Sequence, residues 1–456
     1  MKAAVSSGFA SPSLIGLLLL ASLMTAGCAT YSERMLPIRN QFASNDLEGA
    51  KTQLVELHKK RKKDRDVLVL DQAMIELAQG RSAEAEKLLR ASRDRFDHLS
   101  QKSLAEGAAS MVTDDNAIAY PGEDYEQVLI RVMLTLTNLM NGGQDAEAYA
   151  LQIAEKQEEL LAKQKTDETP EENSWLKAQA YQQVALGPYV RAMLAEESPL
   201  TLDDAVRARV KVAEYAPDFS SAKADLQRAQ HEVPIPPGHG VLYVFALVGR
   251  GPIKEQVNAE ATQAALLIAD RIVSAVSPRG LPPTLAPVPI PKVRTSSLGP
   301  RNMAITIDGQ PVGKTETLVD VGRMAALQQE AKEPEIIARA VARRVLKKGA
   351  IYAVKEGVDA QPWSAESLAL NAVGVAWEAT EQADLRCWDL LPDRIQVLRV
   401  TLPAGEHQLT LQPASGQGVW GEISSMTVKV PDGRNVYVMG QFPNEKLVGQ
   451  LLTSEP

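Results

Sequence analysis

The chain reads as an α+β multidomain protein, an N-terminal α-helical array followed by a C-terminal mixed α/β, sandwich-like domain. Three observations point there. Apolar residues recur at helical spacing from about residue 36 to 230. Val233-Pro234-Ile235-Pro236-Pro237-Gly238-His239-Gly240 then interrupts the pattern with the Pro and Gly density of a linker or sharp turn. Beyond it, apolar runs become short and rich in β-formers, beginning with Val241–Val248. A length of 456 residues, 45% hydrophobic and 23% charged, accommodates two or three domains. The divisions expected are 1–27, 28–35, 36–232 and 233–456.

The first of these is a targeting segment. Lys2 precedes the apolar run Leu14–Met24, which is too short for a stop-transfer helix, and Thr25-Ala26-Gly27-Cys28 follows. Small residues before a cysteine resemble the bacterial lipobox, with Thr25 where Leu or Val is usual. The resemblance implies that residues 1–27 are removed, that Cys28 is lipidated, and that 28–35 is a tether. Each buried acyl CH₂ contributes about 0.8 kcal/mol, so several chains anchor firmly. By lipoprotein sorting rules, Ala29 rather than Asp after the cysteine implies the outer membrane, facing the periplasm. The alternative is an ordinary secretory signal with an incidental cysteine.

Within the array, Asn45–Ala50 and Gly80–Ala85 each place an alanine five residues after a turn residue. Their separation is close to the tetratricopeptide period of about 34 residues. Gly143–Ala148 repeats the pattern, and Asp204-Ala205 followed by Tyr215-Ala216-Pro217 resembles a later unit. A small side chain there lets paired helices approach closely. The units resemble tetratricopeptide repeats, although most lack the large aromatic and the terminal proline. A generic array of helical hairpins is the alternative. Either arrangement implies a groove for protein recognition.

A long break lies between Phe96 and Tyr125. It contains Thr113-Asp114-Asp115-Asn116 and Tyr120-Pro121-Gly122-Glu123-Asp124-Tyr125-Glu126. The spacing does not suit a calcium loop. Asp114 and Asp115 suit an Asx-turn or cap, and Glu123 and Asp124 suit a helix N-terminus. Catalytic acid and base roles for Asp114, Asp115 and Glu123 are the competing reading.

In the C-terminal half, a helix is expected over Gln256–Val276, extended chain over 282–292, and a hairpin at Asp308-Gly309 after Met303–Ile307. Helices follow over Pro334–Lys348, stopped at Gly349, and over Ser364–Ala379, apolar enough to be central and buried. Strands are expected at 395–402, 407–411, 426–430 and 436–438.

Recognisable catalytic chemistry is sparse. His58, His98, His231, His239 and His407 show no metal-ligand spacing. There is no nucleophile elbow and no Walker loop. With Cys28 committed to lipid, Cys387 has no partner in the chain and reads as a small buried hydrophobe beside Trp388; a reactive thiol is the alternative. Arg339, Arg343, Arg344, Lys347 and Lys348 read as a solvated helix face, or as an anion contact. Asp384, Arg386 and Trp388 alternate, which suits an ion pair covered by the indole or a ligand-facing cluster. His407 reads as an edge-strand residue. A net charge of −8 disfavours nucleic acid as a partner. No metal and no cofactor are expected.

Taken in order, Thr113-Asp114-Asp115-Asn116 with Tyr120, Tyr125 and Glu126, Ala338-Arg339-Ala340 with Arg343 and Lys347, Ala383-Asp384-Leu385-Arg386-Cys387-Trp388 with Leu391-Pro392, and Gly405-Glu406-His407 resemble an uncharacterised family of bacterial lipoproteins. That family pairs a tetratricopeptide-like helical half with a C-terminal α/β half, and Cys387 departs from the small polar residue expected there. The function expected is a non-enzymatic, lipid-anchored scaffold of the cell envelope or cell-wall assembly. Its partners would be the membrane through the lipid, an envelope protein, and a cell-wall polymer. An enzyme acting on an envelope polymer through residues 113–126 is the alternative.

Overall fold

The computed structural model describes residues 29–106, 119–166, 174–231, 233–277, 280–282, 285–296, 298–357, 382–415 and 418–454. Cys28 with the segment before it, Asp114, Asp115, Asn116 and the expected Ser364–Ala379 helix lie outside the described residues.

The first half is helical: α1 Tyr31–Ala43, α2 Leu47–Lys60, α3 Arg65–Ala78, α4 Ser82–Glu106, α5 Asp124–Leu139, α6 Ala146–Thr166, α7 Ser174–Ala180, α8 Leu186–Ala195, α9 Leu202–Tyr215 and α10 Ser221–Gln230. Local chemistry sets several starts. Thr30 Oγ1 accepts the Glu33 N–H at 3.3 Å while the Glu33 carboxylate accepts the Thr30 N–H at 2.7 Å, a reciprocal cap of α1. Asp46 accepts the Gly49 N–H at 3.0 Å to open α2. Consecutive helices pack on one another, α3 on α4, α5 on α6 and α9 on α10. Ala50, Ala85 and Ala205 are buried; Ala148 is exposed, and Ala146 and Ala150 take the buried positions in its place. Helix α5 is buried from Tyr125 to Leu139, so it is covered on every side.

The second half holds β1 His239–Val248, β2 Ile253–Ala259, α11 Gln263–Val276, β3 Val288–Arg294, β4 Asn302–Ile307, β5 Gln310–Lys314, β6 Glu316–Asp320, α12 Val321–Gly357, β7 Arg394–Pro403, β8 Gly405–Ser415, β9 Gly418–Val419, β10 Ser424–Val430, β11 Asn435–Phe442 and β12 Val448–Thr453. One sheet runs β12-β11-β1-β7-β6, with β1 parallel to β11 and antiparallel to β7. A second runs β10-β8-β4-β5, with β9 beside β8, and β2 pairs with β3 apart from both.

Strand β1 shows why the layers stack. Its side chains alternate between two cores, as the pleat requires. Val241, Tyr243, Phe245 and Leu247 join a cluster that includes Met74, Leu129, Met133 and Tyr189 of the helical half, with Trp388 from the chain before β7. Leu242, Val244, Ala246 and Val248 face Met303, Ile305, Leu409, Leu411 and Val428 of the second sheet. The first sheet is therefore the middle layer, and its central strand is buried on both faces. A third cluster joins Ala265, Ala269 and Val273 of α11, Val288 and Ile290 of β3, and Ile337, Ala338 and Val341 of α12.

Polar contacts reinforce the seam between helices and sheet. The Ser220 and Ser221 hydroxyls at the start of α10 donate to Glu316 of β6 at 2.6 and 2.8 Å, and the Asn435 N–H donates to Glu197 at 2.7 Å. The Gly449 N–H donates to Asn45 Oδ1 at 2.7 Å. A Cβ on Gly449, whose φ is +72°, would stand 1.8 Å from the Ala78 carbonyl oxygen, so only glycine allows this approach.

Several expectations need correction. The helix expected from Gln256 begins at Gln263, because Ile253–Ala259 pairs antiparallel with β3 and Thr262 caps the helix through the Ala265 N–H at 3.2 Å. Helix α12 neither starts at Pro334 nor stops at Gly349. Pro334 removes one internal hydrogen bond, but Ala331 before it and Ile337 after it are both buried, and packing carries the helix through. His407 lies on β8, an inner strand, with Nδ1 2.7 Å from Asp308 Oδ2. The Asp308-Gly309 hairpin is present, with φ of 51° and 77° at its two residues.

Candidate functional site

Glu126 sits in the first turn of α5 and is fully buried. Its Oε2 accepts the Tyr120 hydroxyl at 2.7 Å and the Glu123 N–H at 3.0 Å. Its Oε1 accepts the Trp388 N–H at 2.7 Å and the Tyr125 hydroxyl at 3.3 Å. Burial raises its carboxyl above the usual range, while Lys254 opposes and Glu123 adds to the rise. Four donors occupy the two oxygens. The α5 terminus is what permits this, since Glu126 occupies the capping-box position and reaches back to its own N-cap.

Tyr120 lies between this carboxylate and two cations. The Lys254 ammonium is 5.7 Å and the Arg386 guanidinium 5.2 Å from its ring centroid. Lys254 pairs with Glu123. Burial alone would lower its ammonium, but Glu123, Asp384 and Glu126 outweigh that and hold it above its ordinary range. Arg386 grips Asp384 with two bonds, 2.9 Å from Nε and 2.7 Å from Nη2, and donates to the Lys63 carbonyl at 3.2 Å. Burial pushes the Asp384 carboxyl up, yet Arg386 and Lys254 bring it below its usual range. Asp124, next to the cap, accepts Tyr181 and Lys332, both at 2.6 Å.

The segment from Cys387 to Leu391 continues the cluster. Asp71 on α3 accepts the Leu390 N–H at 2.8 Å, and Tyr31 donates to the Cys387 carbonyl at 3.3 Å. Asp389 pairs with Arg39 of α1 at 3.3 Å. Burial raises Asp71 well above the usual carboxylate range, with Asp389 adding to the rise; burial also pushes Asp389 up to about 7, with Arg39 opposing. The Cys387 thiol is buried and free, and burial raises it well above its ordinary value, the opposite of a reactive thiol.

The residues singled out in the sequence separate into groups. Tyr120, Tyr125, Glu126, Asp384, Arg386 and Trp388 come together in one buried brace. The aromatic cover of the Asp384–Arg386 pair is Tyr120, not the Trp388 indole, because 382–388 forms no strand and its residues do not alternate onto one face. Arg339 and Arg343 lie apart, on the stretch of α12 that packs on α11 and β3. Arg339 is exposed, whereas Arg344, one residue beyond Arg343, is buried and donates to the Ala286 and Pro287 carbonyls at 3.1 and 2.8 Å, so this helix face is only partly solvated. Asp114, Asp115, Asn116 and Cys28 lie outside the described residues.

Lys254, Asp71, Asp389 and Arg39 were not singled out. Two of them carry a signal in the sequence: Asp71 stands among Val67, Leu70 and Met74 on the apolar side of α3, and Asp389 interrupts the run Trp388–Leu391. A carboxylate on an otherwise apolar face is an informative anomaly.

Among the described residues, no group of three or more His, Cys, Asp or Glu is arranged to hold a metal ion, and no helix is long and apolar enough to cross a membrane. No family model, no curated protein and no solved structure matches the chain.

Proposed function

We propose that the mature chain is a lipid-anchored interaction protein on the periplasmic side of the outer membrane, serving cell-envelope or cell-wall assembly as a scaffold. The location rests on the lipobox-like run ending in Cys28 and on Ala29 after it. The recognition surface is a tetratricopeptide-like array. Its support is the shared left-handed turn at Asn45, Gly80 and Gly143, with φ of 68°, 80° and 70°, each preceding a helix whose buried alanines allow close packing. The likeness of the ordered motifs to a family of lipoproteins with the same two halves supports the same reading.

The observation that carries the non-enzymatic part is the saturation of Glu126. A general acid or base needs a free position within reach of substrate, and each Glu126 oxygen already accepts two donors inside the core. Of the competing acid and base set, Glu123 pairs through Oε1 with Lys254, while Asp114 and Asp115 lie outside the described residues. Glu126 joins the helical half to the 384–391 segment through Trp388, and Glu123 joins it to β2 through Lys254. The testing experiment incubates the purified full-length mature chain with peptidoglycan and, separately, uses it as bait on detergent-solubilised envelopes. The reading expects a saturable envelope partner and no soluble fragments. Fragment release that Glu123→Gln abolishes in a folded protein would replace the scaffold with an enzyme.

A further inference from the structure

A pocket of about 280 Å³ opens between α1, the turn joining β1 to β2, the chain following β3, and the 389–392 segment. It is separate from the saturated oxygens of Glu126, which does not line it. Its charged lining is Arg39, Arg250, Arg294, Glu255 and Asp389. Arg39 is spoken for by Asp389, and Arg294 by Glu255 at 3.0 Å.

Arg250 is different. Its Nε donates to Asn444 Oδ1 at 3.2 Å and its Nη1 to Asn40 Oδ1 at 3.3 Å. Both partners are neutral amides, which aim a guanidinium without cancelling its charge. Among the described residues no carboxylate pairs with it. Burial, and then the nearby Arg39, disfavour its charged form, so an anion arriving there relieves a repulsion already present. Asp389 meets the pocket through its main chain alone, because its side chain is 0% exposed and is held by Arg39. Much of the remaining wall is apolar, including Phe42, Leu390 and Leu391.

From this geometry we propose that the pocket binds a small organic monocarboxylate, its head group on the Arg250 guanidinium and its apolar body against Phe42 and Leu390. The fork of a guanidinium matches a carboxylate. The Glu255 carboxylate in the wall disfavours a dianion such as inorganic phosphate. A volume near the small end of ligand sites suits a metabolite-sized compound rather than a polymer. The assignment does not rest on the scaffold reading.

The test is ligand-observed NMR on the full mature chain with benzoate, 3-phenylpropanoate and 4-methylpentanoate, each beside its primary amide, and with inorganic phosphate as competitor. At least one acid binds saturably, and its amide binds roughly tenfold more weakly or not at all. Arg250→Gln weakens the acid by about the same factor. Leu298→Glu provides a second variant, since Leu298 lines the pocket yet is 58% exposed, so a carboxylate there repels the ligand without disturbing the core. Both variants keep the wild-type circular dichroism. Failure of all three acids to bind at millimolar concentration, equal binding of acid and amide, binding unchanged in both variants, or displacement by phosphate at equal concentration would each overturn the assignment.

Discussion

Glu126 accepts the backbone N–H of Trp388 at 2.7 Å, joining the first turn of α5 to the chain that precedes β7 across 262 residues of sequence. The same carboxylate accepts two tyrosine hydroxyls and its own N-cap. One side chain thus begins a helix, orients Tyr120 between Lys254 and Arg386, and fixes the 384–391 segment against the helical half.

Glu126→Ala should therefore be severe. It strands four donors, three of them buried, and leaving a buried one unpaired costs about 1–3 kcal/mol. The total should be several kcal/mol, reduced where side chains find other partners. Glu126→Gln keeps an acceptor on one arm and should fall between wild type and alanine. Chemical denaturation of the three proteins gives the order; an alanine variant as stable as wild type would remove the brace from the account.

The seam between helices and sheet makes its own prediction. Gly449→Ala places a methyl group against the Ala78 carbonyl at a positive φ. The loss should exceed about 1 kcal/mol, read as a lowered thermal midpoint. Gly433→Ala is the control, since it shares a positive φ but has open space around its Cβ position, and it should lose less.

Asp389 gives a pH dependence with a definite sign. Burial holds its folded carboxyl up to about 7, with Arg39 opposing, whereas an unfolded aspartate titrates near ~3.9. The folded state keeps a proton that the unfolded state has lost, so stability is fully present below the unfolded value and declines as pH rises to about 7. Asp389→Asn should shrink that decline, and Asp71, raised in the same direction, should supply what remains. The comparison is of thermal midpoints across this window; parallel curves for wild type and Asp389→Asn would contradict it.

Membrane attachment is tested by Cys28→Ser. The lipobox-like segment predicts loss of processing and release from the membrane fraction. A Cys28→Ser protein still cut at the same site and still sedimenting with membranes would exclude the lipid anchor.

Local rules were legible wherever local chemistry decides the structure. The Asp308-Gly309 turn, the Pro-rich break before β1, and β7, β8, β10 and β11 follow from turn residues and alternation. Failures arose where distant packing decides. Gln256–Ala259 reads as the start of a helix in isolation, but β3 recruits it as strand. Strands β6 and β12, five and six residues long, carry too little pattern to stand out. In the brace, Tyr120, Glu126, Arg386 and Trp388 each stand in a legible motif, but their meeting depends on folding. Lys254 has no local mark at all, because its partners Glu123 and Tyr120 arrive from the other half of the chain.

The most direct test of the scaffold reading is site-specific photo-cross-linking in intact cells. Probes belong at exposed apolar positions of the helical half, Trp175, Leu200 and Val210, and at Val419 and Ile423 in the sheet half. The account predicts a discrete adduct with an envelope protein from at least one helical position and none from the sheet positions. Adducts confined to Val419 or Ile423, or none from any position, would contradict a helical array built for recognition.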